Sequence, residues 1–321
     1  MKLLLNSLVE NFLKEKLTAT DCSNQSLLFW GESDLGKLTT AKIFAKSLLC
    51  EKKIWGGCND CSSCKSLNNN WHPDYLLIDS KADSIKVEDA LPIFEFLLYK
   101  PQLSNKRILI INDCEKLNLT VQSSLLKMLE EPKNHFLIIL VSTNPQKLLK
   151  TIKSRVIPLR FIKPSKNELV DFIQLNHPTQ VKNLDYLINL SNNHTAKTIE
   201  YINDSNSLKS REENIKLFEK LLKSNFIEQS SLIKNLISEF EIQNKEDADM
   251  ASLGIKTFLK TIINDWLAYI ETDLNASLQK ANQSLKTQTK YLKNSLQLLS
   301  YVDNYNANYR LLLEMFCLTT F

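Results

Sequence analysis

The chain has 321 residues, of which 43% are hydrophobic and 24% are charged, and its formal net charge is +4. A chain of this length buries a large core and is expected to fold as two or three domains. No apolar run approaches the roughly 18 residues that a membrane span needs, and so small a positive charge does not by itself indicate nucleic-acid binding. The N-terminal segment 1–17 has the pattern of an amphipathic helix and is too polar for a signal peptide, so we expect a cytoplasmic protein without membrane contact.

A glycine-containing loop follows the apolar run 27–30. Residues 31–39 read Gly-Glu-Ser-Asp-Leu-Gly-Lys-Leu-Thr, which matches the phosphate-binding pattern G-x4-G-K-[ST] at every position but one. Leu38 stands where the pattern requires the Ser or Thr that holds magnesium. The sequence therefore predicts a nucleotide-binding fold that lacks one of its metal ligands.

The same loop carries two acidic residues, Glu32 and Asp34. Their charges would repel an incoming triphosphate, so we expect the site to be empty or weakly occupied by ATP. Lys37 has two alternative roles at this point: it cradles phosphates together with the loop amides, or it caps the loop by donating to backbone carbonyl groups.

Three further apolar runs follow, at 75–78, 108–111 and 136–141, and helical patterns lie between them at 87–98 and 121–130. Apolar runs without polar alternation are typical of strands buried on both faces of a parallel sheet. Alternation of such strands with helices predicts a doubly wound α/β domain.

Four cysteines are clustered within 15 residues: Cys50, Cys58, Cys61 and Cys64. The gaps of two residues allow pairs of thiolates to converge on one tetrahedral ion, and Cys50 at the end of the preceding helix can supply a fourth ligand. We therefore predict a zinc module over 50–64, with a structural metal because four thiolates leave no open coordination position. The alternatives are a redox C-x-x-C pair and unpaired thiols.

The chain becomes helical in pattern after a break at 163–165. Ser165 is placed to cap a helix with Glu168 at its third position, and the chain has no proline beyond Pro178. A broad apolar face recurs at helical spacing through residues 258–270. We expect an α/β domain over 1–162, a small helical domain over 163–207 and a larger all-α domain over 208–321.

Seven segments occur in a characteristic order: the glycine loop, the cysteine cluster, His72-Pro73-Asp74, Ile108 to Asp113, Leu125 to Pro132, Ser142-Thr143-Asn144-Pro145, and Ser154-Arg155-Val156. In this order they resemble the AAA+ subunits of the bacterial DNA polymerase III clamp loader. The resemblance implies a P-loop sheet domain, a helical lid domain and a C-terminal collar domain through which subunits oligomerise. It also implies clamp-loader ATPase and delta subunits as partners, with the sliding clamp and primed DNA reached through the complex.

The resemblance assigns roles to residues near the loop. The positions that hold a magnesium-binding Asp and a water-activating Glu in the family's ATPases are Asn112 and Asp113 in this chain. With Leu38, both expected protein ligands of magnesium are altered, so we expect little or no ATP hydrolysis. The implied, degenerate nucleotide site comprises Gly31, Gly36, Lys37, Thr39, Asp113 and Thr143, the last at the nucleotide-sensing position.

The resemblance also marks Arg155 as an arginine finger, a residue projected at the nucleotide of a neighbouring subunit. An arginine needs only position and charge for this role, so the altered metal ligands do not affect it. The leading hypothesis is a non-hydrolysing clamp-loader subunit that supplies Arg155 in trans. The alternatives are an active ATPase motor subunit of the loader and a zinc-bearing interaction protein with no role in the loader.

Overall fold

The computed structural model describes residues 7–18, 26–79, 84–130, 135–176, 183–243, 248–279, 285–304 and 309–320. The chain forms two compact units, one of residues 1–180 with 194–196 and the other of residues 181–193 with 197–321. The division into domains at 162 and 207 stays a prediction. No helix in the described ranges combines the length and the apolar character that crossing a membrane requires.

The first unit alternates strands and helices as predicted. In chain order its elements are α1 (Ser7–Thr18), β1 (Ser26–Trp30), α2 (Lys37–Leu49), α3 (Ser62–Asn68), β2 (Tyr75–Ile78), α4 (Val87–Leu98), β3 (Arg107–Ile111), α5 (Leu119–Glu130), β4 (Phe136–Ser142), α6 (Lys150–Lys153), β5 (Val156–Arg160) and α7 (Lys166–Asn176). The five strands form one parallel sheet in the order β2-β3-β4-β1-β5. The predicted α/β class, a parallel sheet alternating with helices and followed by a helical C-terminal region, is confirmed.

The sheet is covered on both faces, which explains its unbroken apolar strands. In β3, Ile108 and Ile110 belong to the apolar cluster that includes residues of α1 and α2, whereas Leu109 and Ile111 belong to the cluster that includes residues of α4 and α5. Successive strand residues point to opposite faces, so both sets must be apolar when helices pack on each side.

The fifth strand, β5, was not predicted from the sequence. It contains Pro158, which has no N–H group to donate to a neighbouring strand, and its burial alternates rather than being continuous. Both features are consistent with its place at the edge of the sheet, where β1 is its one neighbour among the described strands.

The predicted cap at Ser165 is confirmed. The side chain of Glu168 accepts a hydrogen bond from the Ser165 backbone N–H at 2.7 Å, and the Glu168 N–H donates to the Ser165 hydroxyl oxygen at 3.3 Å. This reciprocal pair satisfies two amides that the first turn of α7 leaves unbonded.

Helices make up the rest of the described chain. They are α8 (Leu184–Leu190), α9 (Thr195–Asn203), α10 (Ser205–Lys223), α11 (Phe226–Gln243), α12 (Ala248–Gln279), α13 (Leu285–Asn304) and α14 (Tyr309–Thr320). The predicted apolar face lies on α12, where Leu259, Ile262, Ile263 and Trp266 are buried in a cluster shared with α10, α13 and α14.

A buried ion pair crosses this helical core. Arg211 on α10 and Asp265 on α12 are 3% and 5% exposed, and the Arg211 guanidinium donates to the Asp265 carboxylate. Asn214 donates to the second carboxylate oxygen at 2.7 Å, and Arg211 also donates to the Leu190 carbonyl oxygen at 3.0 Å. The pair therefore links the end of α8 to α10 and α12.

Candidate functional site

The glycine loop joins β1 to α2 at the carboxyl end of the sheet. Gly31 has a φ of 151°, and a Cβ atom there would lie 2.4 Å from the Phe161 carbonyl oxygen. Gly36 has a φ of 76° and caps α2. Glycine is required at the first position by close backbone contact and is favoured at the second by the left-handed conformation.

Lys37 is buried and its ammonium group is turned back into the loop. It donates to the Gly31 carbonyl oxygen at 2.9 Å and also to the Glu32 carbonyl oxygen. Of the two roles left open by the sequence, capping the loop is therefore the one that these contacts perform. Burial lowers the pKa of Lys37, and nearby carboxylates partly offset this effect.

The next two residues of the motif, Leu38 and Thr39, differ in their burial. Leu38 is partly buried and packs against the apolar cluster that contains Leu35 and Phe44. Thr39, a predicted nucleotide-binding residue, is exposed on the first turn of α2. An apolar side chain thus occupies the position of the magnesium ligand.

The acidic residue Glu32 has basic partners of its own. Its carboxylate lies 2.8 Å from the Lys163 ammonium group and 3.6 Å from Nε2 of His194, whose Nδ1 is 3.0 Å from the Ser33 carbonyl oxygen. Burial lowers the pKa of His194, with the positive charge of Lys163 acting in the same direction, so this ring favours the neutral form. These partners were not predicted from the sequence because they lie far along the chain from the loop.

The two residues that follow β3, Asn112 and Asp113, also make contacts with other side chains of this chain. The Asn112 side-chain amide donates to Asp79 at 2.9 Å, and Asp113 has a φ of 46° with its carboxylate 3.0 Å from Lys116. The neutral amide of Asn112 brings no charge to a metal, and the carboxylate of Asp113 forms an ion pair with the Lys116 ammonium group.

Glu115 is a residue of this region that the sequence analysis missed. One of its oxygens accepts hydrogen bonds from the Thr143 N–H at 2.9 Å, from the Thr143 hydroxyl and from the Asn144 N–H at 3.3 Å. Burial raises the pKa of Glu115, but these donors outweigh it and the pKa lies below its ordinary value. The predicted nucleotide-sensing residue Thr143 is therefore bonded to a carboxylate of its own chain.

The structure brings most of the predicted nucleotide site together at the carboxyl end of the sheet. Lys37 lies among these residues, and its pKa is affected electrostatically by four carboxylates: Asp34, Glu115, Asp113 and Glu32. The four cysteines lie elsewhere, at the opposite end of α2, a 13-residue helix that spans about 20 Å.

The cysteine cluster is assembled as the spacing predicts. The sulfur atoms of Cys50, Cys58, Cys61 and Cys64 all lie within 4.8 Å of one another, and those of Cys58 and Cys64 are 3.9 Å apart. Tetrahedral Zn–S bonds of about 2.3 Å would place sulfur atoms roughly 3.8 Å apart. Gly57 is essential to this approach, since a Cβ atom there would lie 2.9 Å from the Cys64 sulfur.

Backbone amides stabilise negative charge on this cluster. The N–H groups of Cys58, Cys61 and Cys64 donate to the sulfurs of Cys50, Cys58 and Cys61 at 3.3, 3.3 and 3.4 Å. The backbone amide of Asp60 lowers the pKa of Cys58 to about 6, whereas burial raises the pKa of Cys64 to about 12. Four sulfur atoms this close form a donor set that fits a metal ion, and binding such an ion would convert the thiols to thiolates.

Arg155 lies between α6 and β5 and is exposed. Its guanidinium donates to the Thr151 carbonyl oxygen at 2.9 Å and to the Ser154 hydroxyl oxygen at 3.3 Å, and it pairs with Glu130 at 2.8 Å. None of these three partners belongs to the glycine loop at residues 31–39.

The backbone before α6 is fixed by Gln122 of α5, which is buried. Its side-chain oxygen accepts the Leu149 N–H at 2.9 Å, and its amide donates to the Leu117 carbonyl oxygen at 2.9 Å. The short segment that carries Arg155 is therefore hydrogen-bonded to the helix beside it.

Comparisons with known proteins agree with these motifs. Residues 6–165 match the family model described as DNA polymerase III, delta subunit. The DNA polymerase III subunit delta' of Bacillus subtilis is 30% identical over 221 residues, which is 69% of this chain, and that of Pseudomonas aeruginosa is 32% identical over 133 residues, or 40% of this chain. The matches span 64% and 40% of those two relatives.

A DNA polymerase III subunit tau from Bacillus subtilis is 34% identical over 133 residues, which cover 41% of this chain and 23% of that protein. The family indicated by the motifs is confirmed by the family model and by the relatives named delta'. Through residues 6–165, this chain belongs to the DNA polymerase III delta-subunit family of clamp-loader proteins, with the delta' subunits among its relatives.

Proposed function

We propose that this chain is a non-hydrolysing subunit of the DNA polymerase III clamp loader. It assembles with ATPase and delta subunits, presents Arg155 to the nucleotide of a neighbouring subunit, and so contributes to loading the sliding clamp on primed DNA. The relatives named delta' and tau support a role in this assembly.

The observation that carries the proposal is the contrast between the loop and the finger. Lys37 is bonded to the loop's own carbonyl groups and Leu38 packs against the core, whereas Arg155 is exposed. A group that stabilises charge on another subunit has to reach the surface, and a residue that binds the chain's own phosphates does not.

Charge in the loop site supports the same conclusion. Asp34, Glu115, Asp113 and Glu32 surround the one ammonium group of Lys37. Lys163 pairs with Glu32 and Lys116 pairs with Asp113, so four ionised carboxylates outnumber the three lysines by one charge. A triphosphate without a well-held magnesium ion is therefore repelled. We therefore propose that ATP binds this site weakly or not at all.

Arg155 acts in this proposal as an arginine finger. A guanidinium group near a transferring phosphoryl group stabilises the charge of the transition state, with effects of about 10³- to 10⁵-fold in rate in related systems. The planar group offers several N–H donors in fixed directions, which suits phosphate oxygens.

We propose zinc as the ion of the cysteine cluster. Four thiolates are a ligand set that zinc prefers, and they leave no position for water or substrate. The metal would hold the segment 50–64 against α2 and would have no catalytic role.

Reconstitution with clamp-loader ATPase subunits tests the proposal. Arg155→Ala should leave assembly intact and lower the DNA-stimulated ATP turnover of the complex by at least tenfold, about 1.4 kcal/mol in activation free energy. Lys150→Ala, which removes an exposed cation from α6, is the matched control and should leave turnover unchanged. Unchanged turnover in the Arg155 variant would rule out the finger.

The match to a tau subunit favours one second candidate, an active motor subunit of the loader. This function requires magnesium-dependent ATP turnover by the isolated chain that is lost in Lys37→Ala. The non-hydrolysing role predicts no turnover above background in either protein.

A further inference from the structure

The ion pair between Arg155 and Glu130 points to a role for a residue that the sequence analysis did not single out. Oε1 of Glu130 lies 2.8 Å from Nη2 of Arg155. We propose that Glu130 is a positioning residue that holds the Arg155 guanidinium in the orientation required to reach a neighbouring subunit's nucleotide. This inference rests on the proposed function, in which Arg155 acts in trans.

The contacts of Arg155 define the orientation of its side chain. Nη1 donates to Thr151 and Ser154, both on the chain segment that carries the arginine, whereas Nη2 pairs with Glu130 at the end of α5. Among the described residues, Glu130 is therefore the partner that fixes the guanidinium from a second element. An arginine side chain has several rotatable bonds, so a partner on a second element removes much of its freedom.

Glu130 is suited to this task because its helix is firmly packed. Val121, Leu125 and Leu129 of α5 are at most 5% exposed and belong to the core beneath the sheet. The Glu130 carboxylate is thus attached to a rigid support even though its own side chain is 48% exposed.

The pair does not bury the arginine. The side chains of Arg155 and Glu130 are 34% and 48% exposed, so water screens the attraction between them. The guanidinium keeps access to solvent, and the contacts described account for three of its five N–H groups. Glu130 therefore orients the Arg155 guanidinium without burying the positive charge that the arginine finger has to present.

The experiment uses the assembly reconstituted with clamp-loader ATPase subunits and measures DNA-stimulated ATP turnover. Glu130→Gln removes the charge and keeps the size of the side chain. We expect kcat to fall by about 2- to 5-fold, the range for loss of an exposed ion pair, with KM for ATP unchanged. Glu95→Gln, on α4, removes another exposed helical glutamate and should leave kcat unchanged.

A double variant shows whether Glu130 acts through Arg155. Glu130→Gln should lower turnover in the wild-type background and should have no further effect in the Arg155→Ala background. Equal losses in both backgrounds would mean that Glu130 acts elsewhere and would overturn the inference. A rise in turnover on Glu130→Gln would also overturn it, because the pair would then be a restraint on the finger.

The failure of this inference differs from the failure of the proposed function. If Arg155→Ala leaves turnover unchanged, the finger itself is wrong. If Arg155→Ala lowers turnover but Glu130→Gln does not, Arg155 acts without help from Glu130. Thermal unfolding of each isolated variant checks that a loss of turnover does not come from loss of folding.

Discussion

The ammonium group of Lys37 lies 2.9 Å from the carbonyl oxygen of Gly31, within the loop that both residues define. A lysine of a phosphate-binding loop reaches outward to phosphates when nucleotide is bound. Here the described contacts of its ammonium group stabilise the loop itself, which gives the residue a structural effect that can be measured without nucleotide.

Lys37→Ala should therefore destabilise the chain. Two partly buried hydrogen bonds from the charged ammonium group to loop carbonyl groups are lost, and a hydrogen bond with a charged group contributes about 1.5–3 kcal/mol. Urea unfolding measures the change, and Lys42→Ala, which removes an exposed lysine from the same helix, should be nearly neutral. A Lys37→Ala protein as stable as the wild type would contradict the capping role.

The buried ion pair of Arg211 and Asp265 leads to a second prediction, which concerns the stability of the helical unit. Asp265→Ala leaves a guanidinium that is 3% exposed without its carboxylate, and such losses cost about 3–5 kcal/mol. Replacing both residues, Arg211→Met with Asp265→Leu, removes the unpaired charge and should restore much of the lost stability. Denaturant unfolding of the single and double variants tests this; equal losses in the two would contradict it.

Stability should fall on mild acidification because of His72. This residue is buried, its Nδ1 accepts the Asp74 N–H at 3.1 Å, and burial lowers its pKa from 6.5, with Asp74 partly opposing the shift. The unfolded chain takes up the proton at a higher pH than the folded chain does. The free energy of unfolding should therefore decrease as pH falls below about 6.5, and should level off below the folded pKa.

His72→Gln separates this effect from that of His194, whose pKa is also lowered. The variant should show a weaker fall in the free energy of unfolding between about pH 7 and the folded pKa, and His194→Gln should weaken this fall further. An identical pH dependence in wild type and His72→Gln would show that His72 does not titrate differently on folding.

The cysteine cluster predicts about one metal ion per chain. Cys61→Ala removes one of four ligands, so bound zinc and thermal stability should decrease together. Elemental analysis and thermal unfolding measure the two quantities. Cys317→Ala, a buried cysteine outside the cluster, is the control for metal content; full metal content in the Cys61 variant would argue against the four-thiolate site.

Local sequence patterns were sufficient to predict most of the helices and strands of the first unit. The strands β1 to β4 and the helices α2, α4 and α5 follow from apolar runs and helical spacing, because each pattern reflects burial of that element alone. The strand β5 was not predicted because Pro158 is unusual in a strand and because the edge position leaves alternate residues exposed.

The site was predictable in its residue types but not in its contacts. The cysteine spacing was enough to indicate the metal cluster, since its ligands are close in sequence. The bonds of Glu115 to Thr143 and of Glu130 to Arg155 join residues more than 20 positions apart. Such pairs depend on how the strands are ordered in the sheet, and no local pattern records that order.

Pro158 has a consequence for how this molecule meets other chains. The sheet ends at β5, and a residue without an N–H group interrupts the row of donors that an additional strand would require. The edge is therefore a poor template for β-augmentation or for amyloid-like growth. At this edge of the sheet, Pro158 therefore disfavours pairing with a strand of a neighbouring chain.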